Sequence, residues 1–568
     1  MTFDKIQAQA ISEWEALNDS DRPRILIGIA TCSQKVGALA VLEAIKSALA
    51  KNNIEATITQ VGCIGLCYAE PLVDIIKPNR PRISYGCVTP QIVPQLIEDY
   101  LINDNPRPDL ALGTIGDDSI DGIPKLFELP MFKPQMRILL HRCGTIDPEN
   151  INHYIANNGY SGLVKALGMA PEEVIEQVKK SGLRGRGGAG FPTGLKWESC
   201  RSTPGEPKYF ICNAAEGDPG SFVDRTLLEG DPHAVLEGMI IGAYAIGAGE
   251  GYIYIHSGSA LAIKRLEAAL KQASEKGLVG DNILGSGFSF QIKIWRGDEA
   301  YICGEETALI SSIEGKREVG IPRIRPPYPA QVGLWSKPTC VNNVETLANV
   351  PHIIEKTGDW YAGIGTERSK GTKLLSLSGN IVRTGIVEVP FGLTLQRLVE
   401  DIGGGIPNGH KLKVIQPAGV MLGLIPASLV DQPIDFDALT KIGSGLGSGG
   451  LIVIDDSACI VDVAHSLVSF ACNEMCGKCS IGRLGTKQLL VILENITNGR
   501  GRPQDIDLLT ELTESVSPGT LCPLCGGVPS PTKSILQHFR DELEAHIKEH
   551  RCPANVCQGL GETSKSQQ

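Results

Sequence analysis

Residues 182–199 read Gly-Leu-Arg-Gly-Arg-Gly-Gly-Ala-Gly-Phe-Pro-Thr-Gly-Leu-Lys-Trp-Glu-Ser. Glycines stand at 185, 187, 188, 190 and 194, with Arg184 and Arg186 beside them. Phe191 and Pro192 close the run, and Lys196-Trp197 follow where the spacing predicts a helix start. A backbone without Cβ bends where a side chain would clash. It also brings N–H groups directly to a ligand, and a helix N-terminus just behind the loop favours an anion. Glycine spacing alone also describes a plain surface turn. The lysine and the aromatic residues add charge and stacking surface that such a turn does not need.

On either side of this stretch, strands and helices alternate. Pro171 to Ser181 has helical spacing, and Lys208 to Ala214 reads as a strand. A small-residue helix over Pro232 to Ile246 ends at Gly247; a strand at Gly251, a helix over Ala260 to Lys276 and a strand over Phe288 to Trp295 follow. This order predicts a parallel or mixed α/β sheet, whose pockets lie where strands end. Polar motifs sit at those ends: Ala214-Ala-Glu-Gly-Asp-Pro-Gly-Ser221 and Gly297-Asp-Glu-Ala-Tyr-Ile-Cys-Gly-Glu-Glu-Thr-Ala-Leu309. Ile321 to Ala330 is a proline-stiffened loop presenting Arg323, Arg325 and Tyr328. Asn342-Asn-Val-Glu-Thr346 offers amide donors for a polar ligand, or a cap for the helix it opens.

A chain of 568 residues exceeds one hydrophobic core and predicts several domains. With 42% hydrophobic and 21% charged residues it reads as globular, and a net charge of −11 argues against nucleic acid as a partner. Among the 17 cysteines, eight stand in four close pairs: Cys63/Cys67, Cys476/Cys479, Cys522/Cys525 and Cys552/Cys557. The N-terminus lacks a signal-peptide pattern, and no apolar run is long enough to span a bilayer. A cytoplasmic location without membrane insertion is expected, with metal-bound thiolates rather than a disulfide framework.

The pattern divides the chain as follows. Residues 1–22 form a polar helical appendage. Residues 23–105 form an α/β unit the size of thioredoxin, with Cys32, Cys63 and Cys67 at strand-to-loop ends. Thiolates gathered at one sheet edge suit a [2Fe–2S] cluster. Its fourth ligand is Cys87, or a non-cysteine group, or is missing; the alternative is a cluster-free domain with buried thiols. Residues 106–135 read as a linker, 136–365 as the central α/β domain, and 366–425 as a small β-grasp-like domain with no evident chemistry of its own. Residues 426–545 are read as helical, and 546–568 as a tail. In that tail His546, Cys552 and Cys557 have spacings suited to structural zinc, with His550 or a more distant cysteine as fourth ligand. A surface helix with idle thiols is the alternative. Cys143, Cys200, Cys212, Cys303, Cys340 and Cys459 are expected to be buried small hydrophobes.

Taken together, Gly185 to Trp197, Tyr301 to Leu309, Arg325-Pro-Pro-Tyr-Pro-Ala330, Val341 to Thr346 and Met475-Cys-Gly-Lys-Cys479 resemble the flavin-bearing NADH-oxidising subunit of respiratory complex I. They also resemble the related diaphorase subunits of soluble hydrogenases and electron-bifurcating enzymes. The resemblance covers nearly the whole chain. It implies a multidomain α/β protein: a thioredoxin-like domain, a Rossmann-like FMN domain, a β-grasp-like domain and a C-terminal helical iron–sulfur domain. FMN is then held by Gly185, Gly187 and Gly188 with Lys196 near its phosphate. Asn213 and Glu305 approach the ribityl chain or ring, and Asn342, Asn343 and Thr346 the phosphate side. NAD(H) stacks over the flavin, with Phe191, Glu306, Arg325 and Tyr328 at its edge. Cys476, Cys479 and Cys522 match the family's [4Fe–4S] motif.

Three positions depart from the family. Ala215 stands where a carboxylate is usual, Glu299 adds charge beside the expected flavin pocket, and Gly482 replaces the third clustered cysteine. Cys525 is the favoured substitute and Cys472 the second; a three-cysteine site with an outside ligand, no cubane at all, and a four-cysteine zinc site are the alternatives. The function implied is oxidation of NAD(P)H, or reduction of NAD(P)+, in a larger and in some relatives electron-bifurcating complex. A small thioredoxin-like [2Fe–2S] subunit and further redox subunits are the implied partners. The competing reading is a non-catalytic electron-relay or scaffold subunit of a large anaerobic reductase that has lost nucleotide turnover.

Overall fold

The computed structural model describes residues 2–317, 327–417 and 419–560. Its strands form three sheets. The first joins β1 (Arg24–Gly28), β2 (Thr57–Val61), β3 (Val73–Ile76), β4 (Arg82–Tyr85) and β5 (Ala111–Ile115) in the order β2-β1-β3-β4-β5. Only the β1–β2 pair is parallel. The second holds β6 (Tyr209–Ala214), β7 (Glu250–His256), β8 (Gln291–Gly297) and β9 (Thr339–Asn343), all parallel, in the order β8-β7-β6-β9. The third is β11-β10-β14-β12-β13, from β10 (Thr372–Gly379), β11 (Gly385–Pro390), β12 (Leu412–Pro417), β13 (Ile425–Pro426) and β14 (Gly450–Asp455).

Helices cover the parallel sheet, as buried parallel strands require. The helix Pro232–Ile246 is buried along almost its whole length and ends at Gly247, whose φ of 80° is the left-handed turn glycine tolerates. On it, the buried Glu237 accepts hydrogen bonds from the Tyr154 hydroxyl (2.6 Å) and the amides of Tyr160 (2.7 Å) and Leu163 (2.9 Å). Those bonds satisfy a carboxylate that burial alone would penalise heavily.

Several sequence expectations change here. The helix Phe3–Asn18 is no appendage: Phe3, Ile6 and Ala10 are buried in the core of the central unit. The stretch expected as a linker supplies β5 to the first sheet, and its Leu126, Met131 and Phe132 join the core of the third. The third sheet is closed by β14, beyond the boundary expected at residue 425. Continuous helix therefore begins only at Ile460. β9 was hidden in sequence because its five residues run directly into the helix Val344–Lys356.

Two seams join the units. Gly62 of the first unit lies against Gly230 of the central one; a Cβ on Gly62 would stand 2.5 Å from the Gly230 Cα. Nearby, the Ile386 amide donates to the Gly65 carbonyl (3.1 Å) and the Tyr68 amide to the Thr384 carbonyl (3.1 Å). The other seam is ionic. Lys373 on β10 and Glu345 on the helix Val344–Lys356 are fully buried and paired. Glu345 also accepts from the Leu374 amide (2.9 Å), and Lys373 donates to the Ser448 carbonyl (2.8 Å).

Removing one partner of a buried pair strands the other charge, which costs about 3–5 kcal/mol. Lys373→Met or Glu345→Gln alone is therefore expected to lower the thermal midpoint sharply, and the double variant K373M/E345Q by less than the sum; additive losses would show the pair to be uncoupled. Gly62→Ala is expected to speed limited proteolysis of the N-terminal unit without changing that midpoint by more than a few degrees; an unchanged digestion rate would show that the seam absorbs a methyl group.

Candidate functional site

The glycine loop sits at the C-terminal ends of β6 and β9, where parallel sheets place their pockets. Register pairs Asn213 with Asn343 and Cys212 with Asn342. Gly187 faces Asn343 so closely that a Cβ would lie 3.1 Å from the Asn343 Cβ. Gly188 adopts φ 120°, a conformation glycine alone takes freely. The amides of Gly187 and Gly188 have no hydrogen-bond partner among the described residues. That is the chemistry of a phosphate cradle: free N–H donors, no side chain in the way, and the helix Thr193–Ser202 starting just behind.

The side chains around the loop are held in place by each other. Lys196 donates to the Val341 carbonyl (3.0 Å) and lies 3.5 Å from the Glu306 carboxylate. The buried Trp197 donates to Asn342 Oδ1 (2.9 Å). Asn343 donates to Asp224 (2.6 Å) and caps its helix at the Thr346 amide (3.3 Å). Thr346 Oγ1 accepts from the Arg186 amide (2.8 Å), so this residue fastens the loop to the helix. Asn213 donates to the Gly304 carbonyl (2.9 Å). Glu305 caps the helix Glu306–Ile313 through the amides of Thr307 and Ala308, both at 3.0 Å, and burial pushes its carboxyl pKa up. Asp224 is also pushed up by burial, with Glu216 and Glu345 adding to the effect.

Phe191 and Tyr328 are exposed. Arg325, expected beside them, lies outside the described residues. Glu299, expected to crowd the pocket, is exposed and folds over Gly258 at the end of β7. Exposure leaves its charge screened by solvent. Ala215 donates its amide to Asn213 Oδ1 (3.1 Å), and its carbonyl lies against Gly304.

Three cysteine centres accompany this site. In the N-terminal unit the sulfurs of Cys32, Cys63 and Cys67 lie within 4.8 Å of one another. The hydrogen bond from Cys63 holds the Cys32 thiol down at about 3, whereas Cys63 itself is pushed up. Glu70 stands beside them, its carboxyl raised to about 8 by burial and by Cys32. Cys87 is not part of this group: it is exposed, on a left-handed backbone with φ 51°. The turn after Tyr85 carries its side chain outward.

The second centre gathers Cys476 and Cys479 on one loop with Cys522 and Cys525 at the start of a short helix, Pro523–Gly527. The Glu305 carboxylate acts on Cys522, so this centre borders the Tyr301–Leu309 motif. Contacts from the helix Ile460–Glu474 reinforce the junction: Glu474 accepts from the Tyr301 amide (2.7 Å), and Phe470 packs edge-on to Tyr301.

The third centre corrects the sequence reading. Cys459, expected to be an inert buried thiol, joins His546, Cys552 and Cys557, all buried and all within 4.8 Å of one another. Cys459 lies 3.2 Å from His546 Nε2 and 3.6 Å from Cys557, which is 3.5 Å from His546. Tetrahedral zinc with bonds of about 2.0–2.3 Å separates its ligands by about 3.3–3.8 Å. His546 Nδ1 donates to the Glu542 carbonyl (2.7 Å), which leaves Nε2 turned to the sulfurs as a ligand lone pair. His550 is exposed and takes no part. No local spacing announces Cys459, which lies far upstream of its three partners.

Residues 178–352 match the Nuo51 FMN-binding domain, and residues 462–546 the iron–sulfur binding region of NADH-ubiquinone oxidoreductase F. The chain is 50% identical over 428 residues to the NADP-reducing hydrogenase subunit HndC of Solidesulfovibrio fructosivorans, covering 75% of this chain and 87% of that one. To the NADH-quinone oxidoreductase F 2 subunit of Rhizobium meliloti it is 47% identical over 424 residues, covering 74% of this chain and all of the relative. Among solved structures, an NAD+-reducing [NiFe]-hydrogenase in its H2-reduced state aligns over 95% of this chain and 88% of its own, with TM-score 0.63 and 28% identity. The chain belongs to the family of the NADH-quinone oxidoreductase F subunits and the related diaphorase subunits of hydrogenases.

Proposed function

We propose that the chain is the nucleotide-oxidising or NAD(P)+-reducing subunit of a larger soluble redox complex, with FMN in the β6–β9 crevice. The observation that carries this reading is the pair of amides at Gly187 and Gly188 that have no partner among the described residues, with Gly187 set against Asn343. Bound there, FMN would supply two-electron hydride chemistry towards a nicotinamide and one-electron exchange with iron–sulfur centres. The chain's residues do the positioning. Gly187 and Gly188 would present their amides to the phosphate, Gly185 is fastened to the Phe191 carbonyl at the loop's base, and Lys196 would add a charged donor. Asn213 and Asn343 tie the surrounding motifs together through Gly304 and Asp224, Asn342 fixes Trp197 behind the loop, and Thr346 keeps the loop on its helix. Phe191 and Tyr328 flank the incoming dinucleotide, with Glu306 at its edge.

The N-terminal unit is read as a thioredoxin-like domain in which Cys32, Cys63 and Cys67 ligate a [2Fe–2S] cluster. The C-terminal centre is read as a zinc site of Cys459, His546, Cys552 and Cys557, with a structural role. Its four protein ligands leave no place for water or substrate. Zinc here would pin the chain's last turns to the start of the helix that leads to Cys476. Electrons leave through partner chains that carry further redox centres.

Anaerobic addition of NADH or NADPH to the FMN-replete protein is expected to bleach the visible flavin band; no response to either nucleotide would favour the relay or scaffold reading. Lys196→Ala is expected to weaken FMN retention about tenfold to hundredfold, the loss of one charged hydrogen bond, as read by equilibrium dialysis. Cys459→Ser is expected to remove the zinc, lower the thermal midpoint and expose the C-terminal residues to protease, while leaving FMN content unchanged. Full zinc content in that variant would refute the four-ligand set.

A further inference from the structure

Gly482 lies on the first turn of the helix Ser480–Thr497, directly over the second cysteine centre. A Cβ built on it would stand 2.7 Å from the Cys479 sulfur, 2.9 Å from the Cys525 sulfur and 3.0 Å from the Cys525 Cβ. The position is therefore filled from the opposite side: the sulfur of Cys525 lies where a side chain at 482 would otherwise project. Cys522 and Cys525 contact each other, and the charges of Cys476 and Cys479 both act on Cys525. The region matched as iron–sulfur binding, 462–546, contains one other cysteine, Cys472. That residue sits on the helix Ile460–Glu474, with Lys487 as its charged neighbour and none of the four sulfurs acting on it.

No three of the four sulfurs fall within 4.8 Å of one another, in contrast to the C-terminal centre. Zinc would draw them to about 3.8 Å; a cubane, which spreads its ligands over the corners of a cube, leaves them further apart. We infer that Cys525 is the fourth ligand of a [4Fe–4S] cluster held by two Cys-x2-Cys arms, Cys476/Cys479 and Cys522/Cys525, and that Gly482 is required to be small because the Cys525 sulfur occupies its side-chain space. This rests on the reading of the region as an iron–sulfur site. Two arms from separate helix starts then grip the cluster, in place of three ligands on one loop.

The test uses the full chain purified anaerobically, with iron, acid-labile sulfide and zinc content and the electron paramagnetic resonance of the reduced protein as readouts. Cys525→Ala is expected to lose the cubane signal and about four iron and four sulfide per chain, with FMN and C-terminal zinc retained as controls for folding. Cys472→Ala is expected to match the parent in every readout. Gly482→Cys alone forces a clash with Cys525 and is expected to reduce the iron bound. The double variant G482C/C525A supplies the sulfur from the other side and is expected to restore the cubane signal. Retention of the cubane by Cys525→Ala, or its loss in Cys472→Ala, would overturn the assignment. A parent protein with zinc and no iron at this centre would instead remove the iron–sulfur reading itself, and the assignment with it.

Discussion

Arg186 holds the glycine loop from behind, and the geometry of the crevice follows from that hold. Its guanidinium is fully buried, donating to the Tyr361 hydroxyl (2.8 Å) and to the carbonyls of Lys370 (2.7 Å) and Arg184 (2.9 Å), and it lies over the ring of Phe391. Arg184 does the same at the loop's edge, over Phe436 and beside Asp437. Both arginines thus point away from the crevice into the neighbouring unit, and only backbone faces Asn343. A planar, permanently charged group with several fixed donors suits this work better than lysine, because each carbonyl it meets is bound without reorganisation. The loop can be rich in glycine and still keep one shape, since its conformational freedom is removed by anchors at its ends.

The third sheet gains a role from this. Nothing in its sequence suggested chemistry. It nevertheless supplies Phe391 and Phe436 for the arginines and Lys373 for the buried Glu345. Glu345 lies between Asn343 and Thr346, so the ion pair orients the helix start that faces the loop. The domain acts on the site through the backbone it immobilises rather than through any group presented to a ligand.

The sulfur centres divide the chain's cysteines by geometry. At the C-terminal centre four ligand atoms close to tetrahedral spacing, with His546 fixed in orientation by a carbonyl. At the central one the sulfurs stay apart, against the Tyr301–Glu306 motif. At the N-terminal one three thiols converge beside a buried carboxyl. Spacing along the chain cannot separate these cases, because a Cys-x2-Cys arm serves zinc and iron–sulfur alike.

Residue order was sufficient for the alternation of strand and helix in the central unit, for the loop at 182–199, and for the local cysteine pairs. These are short-range signals: period, glycine placement and close spacing act within a few residues of each other. Tertiary structure alone brought Cys459 to His546, Cys525 onto Gly482, β5 out of an apparent linker and β14 into the third sheet. It also set Arg184 and Arg186 behind the loop as its anchors. Each of these depends on contacts between segments tens to hundreds of residues apart, and their partners become definite only when the apolar faces of separate elements have packed together.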